Sequence, residues 1–271
     1  MSTPTQTQSR KQYPFTHSVQ ITDETGHTRE VHVVSEYPLT IKVNDRELVT
    51  LMTAGTDPTD LVLGYLHNQG LIENLDEILD IRIDRERQIA SVTTRDGQPT
   101  GWESKIGRRM VTSGCGEGTI FSCSLEKIYE QRLAPQRIRA AHIYDLLHAV
   151  KGYSRIYALA GSVHTCALCR LPDEVLIFVE DVGRHNAADT IGGKMWVRRI
   201  QGTDKILYTT GRVTSEIVMK AAIMKIPTLL SRSGVTQMGL EIAQDLNMMI
   251  IARAKGKKFQ VFSGREYFAP K

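Results

Sequence analysis

The residues best suited to chemistry surround a single thiol. Cys115 lies in the run Val111–Thr119, where Gly114, Gly116 and Gly118 alternate with other residues. Glycine has no side chain, so such a loop can expose the sulfur and let another molecule approach closely. Two consecutive arginines lie a few residues upstream, and nearby positive charge favours the thiolate, which is the form that reacts. The pattern predicts a reactive cysteine rather than a packing residue.

A basic segment near the C-terminus is a candidate phosphate-binding site. The run Ala252–Lys258 contains four cations in seven residues and no acid. A local patch of this kind suits phosphate groups. A solvated basic turn explains the charge alone equally well.

Polar turns follow the strands predicted for the second half of the chain, and several contain glycine. They are Gly161–His164, Glu180–Asn186, Thr210–Arg212, Ser231–Gly234 and Arg253–Lys258. Ligands of α/β sheets bind at the carboxyl ends of the strands, so turns facing one crevice would form a cation-rich pocket. Arg184 and His185 stand at a predicted helix start, where backbone N–H groups and the helix dipole attract anions. For Arg212 a phosphate contact and a surface salt bridge both remain open. For His164 we favour a core histidine with satisfied hydrogen bonds over a functional role, which stays open.

The remaining cysteines raise the question of a metal site. Cys166 and Cys169 form a two-residue-spaced pair that could be half of a zinc site. The other pair, Cys115 and Cys123, lacks the spacing of a zinc knuckle, and the His-x-Glu motif of the zinc deaminases does not precede Cys166. We therefore predict no metal ligands and expect at least one of these thiols to be a buried, small apolar residue.

Composition limits the function classes. The chain has 271 residues, 41% of them hydrophobic, and a net charge of +4 from 34 basic and 30 acidic residues. It can form one large domain or two ordinary ones. No run approaches the roughly 20 apolar residues of a membrane span, and the start carries no signal region, so we expect a cytoplasmic protein without membrane or nucleic-acid partners. The P-loop and dinucleotide fingerprints are absent, which argues against nucleotide hydrolysis and hydride transfer.

The pattern in the first half predicts a small α+β domain at residues 13–106, after a disordered tail at 1–12. Asp57 and Pro58 are expected to begin its helix, and Gly70 to end it. A glycine-rich active-site loop and linker follows at 107–134. The predicted strands are Leu39–Val43, Glu47–Leu51, Ile78–Ile83 and Ile89–Thr93.

The second half, residues 135–271, alternates helix and strand, which predicts an α/β sheet with helices on its faces. The predicted helices are Ile143–Val150, His185–Arg198, Thr214–Lys225 and Met238–Leu246. The predicted strands are Arg155–Ala160, Val175–Val179, Lys205–Thr209, Thr228–Ser231, Met248–Ala252 and Phe259–Phe262.

Several blocks together resemble the formate dehydrogenase accessory sulfurtransferase family, FdhD, from about Glu36 to Gly264. These blocks are Glu36–Asn44, Leu61–Ile72, Glu180–Asp189, Thr210–Arg212, Lys225–Pro227 and Leu230–Ser233. The block Glu180–Asp189 is the most specific. The resemblance implies an α/β protein whose second domain is similar to cytidine deaminase but carries no deaminase zinc set.

The resemblance also implies a function. Such proteins accept sulfur from a cysteine desulfurase as a persulfide and pass it to the molybdenum or tungsten bis(molybdopterin guanine dinucleotide) cofactor, which then enters formate dehydrogenase. By position, Cys115 matches the family's persulfide cysteine, and we expect a homodimer. The expected cofactor-binding residues are Arg184, His185, Arg212, Arg253, Ala254, Lys255, Gly256, Lys257 and Lys258.

One departure from the family pattern bears on the mechanism. Many relatives have a second cysteine three residues after the first, whereas this chain has Gly118 there and its next cysteine is Cys123. We therefore favour a one-cysteine mechanism with a helper role open for Cys123. Two other functions remain as alternatives: a chaperone that shelters the cofactor without carrying sulfur, and a zinc-dependent deaminase.

Overall fold

The computed structural model describes residues 15–95, 109–112, 118–121, 128–129 and 132–270, with the backbone alone at 109–112 and 118–121. Its fold is a mixed α/β arrangement, as the sequence predicts. The predicted tail at 1–12 and most of the predicted loop at 107–134 lie outside these residues. So do Cys115 and Cys123.

The first half forms a β-hairpin followed by a four-stranded sheet. The hairpin was not predicted and consists of β1 (Thr16–Thr22) and β2 (Thr28–Val34). The sheet has the strand order β4-β3-β6-β5. Its strands are β3 (Tyr37–Val43), β4 (Arg46–Thr53), β5 (Ile78–Asp84) and β6 (Ile89–Thr94).

The turn between β3 and β4 and the helix that follows β4 confirm the sequence prediction. Asn44 and Asp45 have φ angles of 47° and 66°, as a tight hairpin turn requires. Helix α1 (Pro58–Asn68) has Asp57 as its N-cap and Pro58 as its first residue. The side chain of Asp57 makes no cap hydrogen bond and binds Lys194 in the other half of the chain instead.

The second half is a six-stranded sheet in the order β11-β10-β12-β13-β14-β15. The three strands β12 to β14 are parallel, and the strands at both edges are antiparallel to their neighbours. The strands are β10 (His164–Arg170), β11 (Glu174–Asp181), β12 (Ile206–Thr209), β13 (Thr228–Ser231), β14 (Met249–Lys255) and β15 (Lys258–Ser263). The helices are α2 (Ala140–Lys151), α3 (Ile156–Ala160), α4 (Arg184–Val197), α5 (Ser215–Ile223) and α6 (Gln237–Asp245).

Shorter strands complete the fold. A two-stranded parallel pair joins β9 (Ile138–Arg139) to β16 (Phe268–Ala269). An antiparallel pair joins β7 (Arg109–Thr112) to β8 (Gly118–Phe121). Cys115 belongs to the connection between β7 and β8. Among the described residues, none of the helices combines the length and the apolar character needed to span a bilayer.

The large sheet is covered on both faces. Helices α4, α5 and α6 pack on one face, in a core that includes Cys166, Leu207 and Ile250. Helix α2 packs on the other face, in a core that includes Cys169 and Tyr208. Successive strand residues point to opposite faces, so each strand contributes to both cores.

The two halves, which we call the N-terminal and C-terminal lobes, meet where α1 crosses α4. A side chain cannot fit at the crossing: a Cβ atom on Gly64 would lie 1.7 Å from the Asp189 carbonyl oxygen, and one on Gly193 would lie 1.9 Å from that of Asp60. Lys194 adds an ion pair across the contact, with its Nζ 2.9 Å from carboxylate oxygens of both Asp57 and Asp60. The lobes are therefore packed directly against each other.

Most predicted elements are confirmed to within a few residues, but the strand predicted at Arg155–Ala160 is wrong. Residues Ile156–Ala160 form helix α3, not a strand, and the strand of this region is β10. The cause lies in Glu180, whose carboxylate accepts the backbone N–H groups of Arg155, Ile156 and Tyr157 at 2.8–3.1 Å. This carboxylate satisfies the backbone N–H groups that the start of a helix leaves without partners. A residue so distant in sequence gives no local signal.

Candidate functional site

Two cavities open at the same end of the large sheet, on its two faces. The first, which we call the basic pocket, has a volume of about 780 Å³. It lies on the α2 side, between that helix and the ends of β12, β13 and β14. The described residues that give it positive charge are Lys151, Arg232, Lys255 and Lys257.

The hairpin between β14 and β15 forms one wall of the basic pocket. Lys255 pairs with Lys258 across a two-residue turn in which Gly256 has a φ of 59°. Ala254 is buried, whereas the lysines are exposed to solvent. The turn therefore holds two cationic side chains, those of Lys255 and Lys257, at the edge of the pocket.

Helix α2 forms the opposite wall, and sequence reasoning missed its contribution. Tyr144, His148 and Lys151 all line the pocket. Their spacing of four and three residues places them on one face of the helix. The sequence did contain a signal for this wall, namely polar and aromatic residues at a spacing that places them on one helix face. Tyr208 lies on the sheet floor of the pocket, where burial raises its pKa to about 12 despite the nearby Arg232.

The second cavity, which we call the inter-lobe cleft, has a volume of about 600 Å³. Strand β4 and the end of α1 line it from the N-terminal lobe, and the start of α4 lines it from the C-terminal lobe. His164 lines this cleft, whereas its neighbour Thr165 lines the basic pocket. Thr210 connects the two, because its Oγ1 accepts the Thr165 N–H at 2.9 Å and lies 3.4 Å from His164 Nδ1.

The turn before α4 clamps the two lobes together. Asp181 accepts hydrogen bonds from the Thr53 hydroxyl and from the Ala54 N–H of the N-terminal lobe. Asn186 donates to the Met52 carbonyl at 2.7 Å and to Asp181 at 3.2 Å. Burial raises the pKa of Asp181 despite these donors. The most family-specific block of the sequence thus has a structural role as well as a place in the cleft.

A buried chain of charged groups runs beneath the cleft. Lys220 Nζ lies 2.6 Å from Asp189 Oδ2 and 3.1 Å from Glu216 Oε1. Glu216 Oε2 in turn lies 3.3 Å from His185 Nδ1. Burial lowers the pKa of His185 to about 3, although Glu216 opposes this. Burial also disfavours the charge on Lys220, but its two carboxylates prevail and raise its pKa.

The structure divides the predicted cofactor-binding residues between two cavities rather than one crevice. Arg184 and His185 line the inter-lobe cleft, and Ala254, Lys255, Gly256 and Lys257 line the basic pocket. Arg212, Arg253 and Lys258 are exposed and line neither cavity. The division arises because Arg184 and His185 begin α4, which packs on one face of the sheet, whereas the β14–β15 turn borders the cavity on the α2 face.

Cys166 and Cys169 cannot share a metal ion. They lie three residues apart on β10 and belong to the cores on opposite faces of the sheet. Both are fully buried, and burial raises the pKa of each thiol to about 12. In the described part of the chain, no group of three or more histidine, cysteine or acidic residues could hold a metal.

Comparison with known proteins points to one family. The sequence model of the FdhD/NarQ family matches residues 34–269. The sulfur carrier protein FdhD of Halalkalibacterium halodurans is 31% identical over 248 residues, which cover 90% of this chain and 91% of that protein. The sulfur carrier protein FdhD of Staphylococcus aureus is 32% identical over 244 residues, covering 86% and 88% of the two chains.

A solved structure agrees with the sequence matches. It is a crystal structure from Desulfotalea psychrophila, described as that of a formate dehydrogenase accessory protein. The similarity has a TM-score of 0.73 at 25% identity and covers 94% of this chain and 98% of the other. The shared fold therefore extends over both lobes.

Proposed function

Because this chain belongs to the FdhD/NarQ family, we propose that it is a sulfur carrier for the maturation of formate dehydrogenase. It takes sulfur from a cysteine desulfurase as a persulfide on Cys115. It then delivers that sulfur to the molybdenum or tungsten bis(molybdopterin guanine dinucleotide) cofactor, which is its cargo. The relatives that carry the name sulfur carrier protein support the first part of the proposal.

The observation that carries the cargo part of the proposal is the basic pocket. Lys255 and Lys257 on one wall and Lys151 on the other place positive charge around a single cavity. A guanine dinucleotide arm carries a pyrophosphate, and each charge-assisted hydrogen bond to it contributes about 1.5–3 kcal/mol when desolvated. The volume of about 780 Å³ falls in the range of small-molecule sites. The residues present therefore fit an anionic nucleotide.

The sulfur-loading step is a thiol–persulfide exchange. The Cys115 thiolate attacks the terminal sulfur of the desulfurase persulfide, a new sulfur–sulfur bond forms on Cys115, and the desulfurase cysteine leaves as a thiolate. Atoms and electrons balance without an external oxidant. The connection between β7 and β8, to which Cys115 belongs, contains two of the flanking glycines.

The second thiol of many relatives is not needed for this step. Gly118 occupies its place, and Cys123 is the next cysteine. One thiolate suffices to accept and hold a sulfane sulfur, so we propose that Cys115 acts alone. Cys166 and Cys169 are buried and take no part.

Mass spectrometry of the intact protein tests the proposal. We expect a gain of one sulfur atom, mapped to Cys115, after incubation with a cysteine desulfurase and cysteine. Cys115→Ala abolishes the gain and formate dehydrogenase maturation, and Cys123→Ala keeps both. If Cys115→Ala still supports maturation, the protein is a cofactor chaperone that carries no sulfur and the proposal is wrong.

A further inference from the structure

Strand β4 presents an unpaired edge to the inter-lobe cleft. It is the first strand of its sheet, and within the described residues it pairs with β3 alone. Thr50 and Met52 both line the cleft. The Met52 carbonyl accepts a hydrogen bond from Asn186 of the other lobe, so the backbone groups of residue 52 point away from β3. Because this direction repeats at every second residue, the backbone groups of Thr50 point the same way.

The register and the composition of β4 leave this edge open. Met52 lies opposite Pro38, which has no N–H to donate, so the two residues form a pair without hydrogen bonds. Natural edge strands are commonly protected by charged residues or proline, but β4 has neither from Leu48 to Thr53. The Met52 side chain is 46% exposed. The edge is therefore suited to pairing with another extended chain.

Two side chains add hydrogen-bond acceptors to the same cleft. His185 Nε2 and Gln69 Oε1 are buried and have no hydrogen-bond partner within the described part of the chain. His185 Nδ1 faces the Glu216 carboxylate at 3.3 Å, so Nδ1 carries the ring proton and Nε2 is an acceptor. Buried acceptors without a partner are costly. A strand edge with separate acceptors suits an extended polypeptide, which carries N–H groups along its whole length.

Phe15 lies at the entrance of the cleft and identifies a polypeptide that can reach this edge. The Phe15 carbonyl accepts the Ser35 N–H at 2.8 Å, and the next residue, Glu36, lines the cleft. The 14 residues that precede Phe15, which we call the N-terminal segment, are thus tethered at the entrance. Fully extended, 14 residues reach up to about 45 Å. Such a tether gives the segment a high effective concentration at the β4 edge.

The composition of the N-terminal segment suits the cleft. Threonine alternates with glutamine at Thr5–Gln8. Threonine favours strands, and glutamine amides donate hydrogen bonds. Nine residues without glycine separate the two prolines of the segment, which is long enough for a strand. Its charged residues are Arg10 and Lys11, whereas the acidic Glu36 lies at the entrance, so the charges are complementary.

We propose that the N-terminal segment binds in the inter-lobe cleft as an added strand on β4. Its backbone groups pair with those of Thr50 and Met52, and its glutamine amides donate to His185 Nε2 and Gln69 Oε1. This contact replaces the disorder that composition alone predicts for residues 1–12. The segment thereby fills the cleft and excludes other polypeptides from it. The inference concerns a contact within the chain and does not depend on the proposed function.

Hydrogen exchange at single amides, followed by NMR on the full chain, tests the pairing. Deletion of residues 2–14 keeps Phe15 and its contact with Ser35. We expect the deletion to speed exchange at the Thr50 or Met52 amide by about tenfold or more, because the edge loses its partner. Far-UV circular dichroism confirms that the variant is folded. Equal exchange at both amides in the two chains would overturn the proposal.

A matched pair of substitutions in the full chain tests whether the contact is a strand. Gln8→Pro with Ser9→Pro removes two consecutive N–H groups in the middle of the segment, and it should speed exchange at β4 as the deletion does. Gln8→Ala with Ser9→Ala keeps both N–H groups and should preserve the protection. Equal exchange in the two double variants would contradict an added strand. Protection that survives the deletion but falls on dilution would assign the edge to a second copy and overturn the proposal.

Discussion

Gly64 of α1 and Gly193 of α4 lie backbone against backbone where the two lobes meet. A Cβ atom placed on Gly193 would come within 2.9 Å of the Gly64 nitrogen, and one on Gly64 within 2.7 Å of the Gly193 nitrogen. The clashing atoms are backbone atoms, which cannot rotate away as a side chain can. The close approach brings Asp189 and Gln69 to the inter-lobe cleft, so the crossing also shapes the site.

Replacing either glycine at this crossing by alanine should destabilise the protein strongly. We expect Gly64→Ala and Gly193→Ala each to lower the free energy of unfolding by about 3 kcal/mol or more, because the helices must separate. Urea denaturation measures the change. Gly234→Ala is the matched control, because a Cβ there has no atom within 4 Å, and its effect should stay within about 0.5 kcal/mol. Equal effects in all three variants would refute the account.

The buried cation Lys220 should be indispensable to the C-terminal lobe. It is 1% exposed and compensates Asp189 and Glu216. Lys220→Met leaves two buried carboxylates without the cation that neutralises them, and we expect a loss of about 3–5 kcal/mol. The triple variant with Asp189→Asn and Glu216→Gln should recover much of it. Arg82→Ala removes an exposed pair with Asp80 and should cost little.

His185 should make the protein sensitive to mild acid. Its folded-state pKa of about 3 lies below the ordinary value of 6.5, so the unfolded chain binds the proton more readily. The contribution of His185 to the free energy of unfolding is therefore complete above pH 6.5 and is lost as the pH falls below that value. From pH 7 to pH 5 we expect a loss of about 2 kcal/mol in urea denaturation.

His185→Gln tests the assignment of this pH dependence. The variant has no titrating ring, so its stability should change less between pH 7 and pH 5 than that of the wild type. His32→Gln, at an exposed position, should follow the wild-type profile. A wild-type stability that stays constant over this interval would contradict the prediction.

The sequence predicts the elements of this fold better than the arrangement of its site. Alternation of apolar residues identifies β3, Pro227 precedes β13, and Asp57 and Pro58 mark the start of α1. Helix α3 escapes prediction because its start depends on Glu180, about 24 residues away, whose carboxylate binds the Ile156 N–H. The helix and strand propensities of neighbouring residues cannot reveal a contact with a residue so far away in the chain.

The site is divided into two cavities because some of its residues lie on one face of the sheet and others lie on the opposite face. His164 and Thr165 are adjacent in sequence but line different cavities. The carboxyl-end rule for α/β sheets locates the edge correctly, but it does not say which face a turn serves. Gln69 had no sequence signal at all, because only the packing of α1 against α4 brings it to the cleft.

The two described cysteines should be unreactive in the folded protein. Cys166 and Cys169 are fully buried, and their thiol pKa values of about 12 leave almost no thiolate at neutral pH. We expect iodoacetamide to label neither until the protein is unfolded in urea, as peptide mass mapping can show. Cys115, if it is the sulfur carrier, should be labelled in the native state. Native labelling of Cys166 would show that the β10 strand opens.

Lysines at the β14–β15 turn should contribute unequally to binding of the cargo. Lys255 and Lys257 line the basic pocket, whereas Lys258, in the same hairpin, does not. With guanosine diphosphate as the probe, we expect Lys255→Ala and Lys257→Ala each to weaken binding by about three- to tenfold, since exposed charges are partly screened. Isothermal titration at two salt concentrations should also show a smaller salt dependence in both variants. Lys258→Ala carries the same charge change and should bind nearly as well as the wild type. If all three variants lose affinity equally, the hairpin acts only through its net charge, and the basic pocket does not position the phosphates.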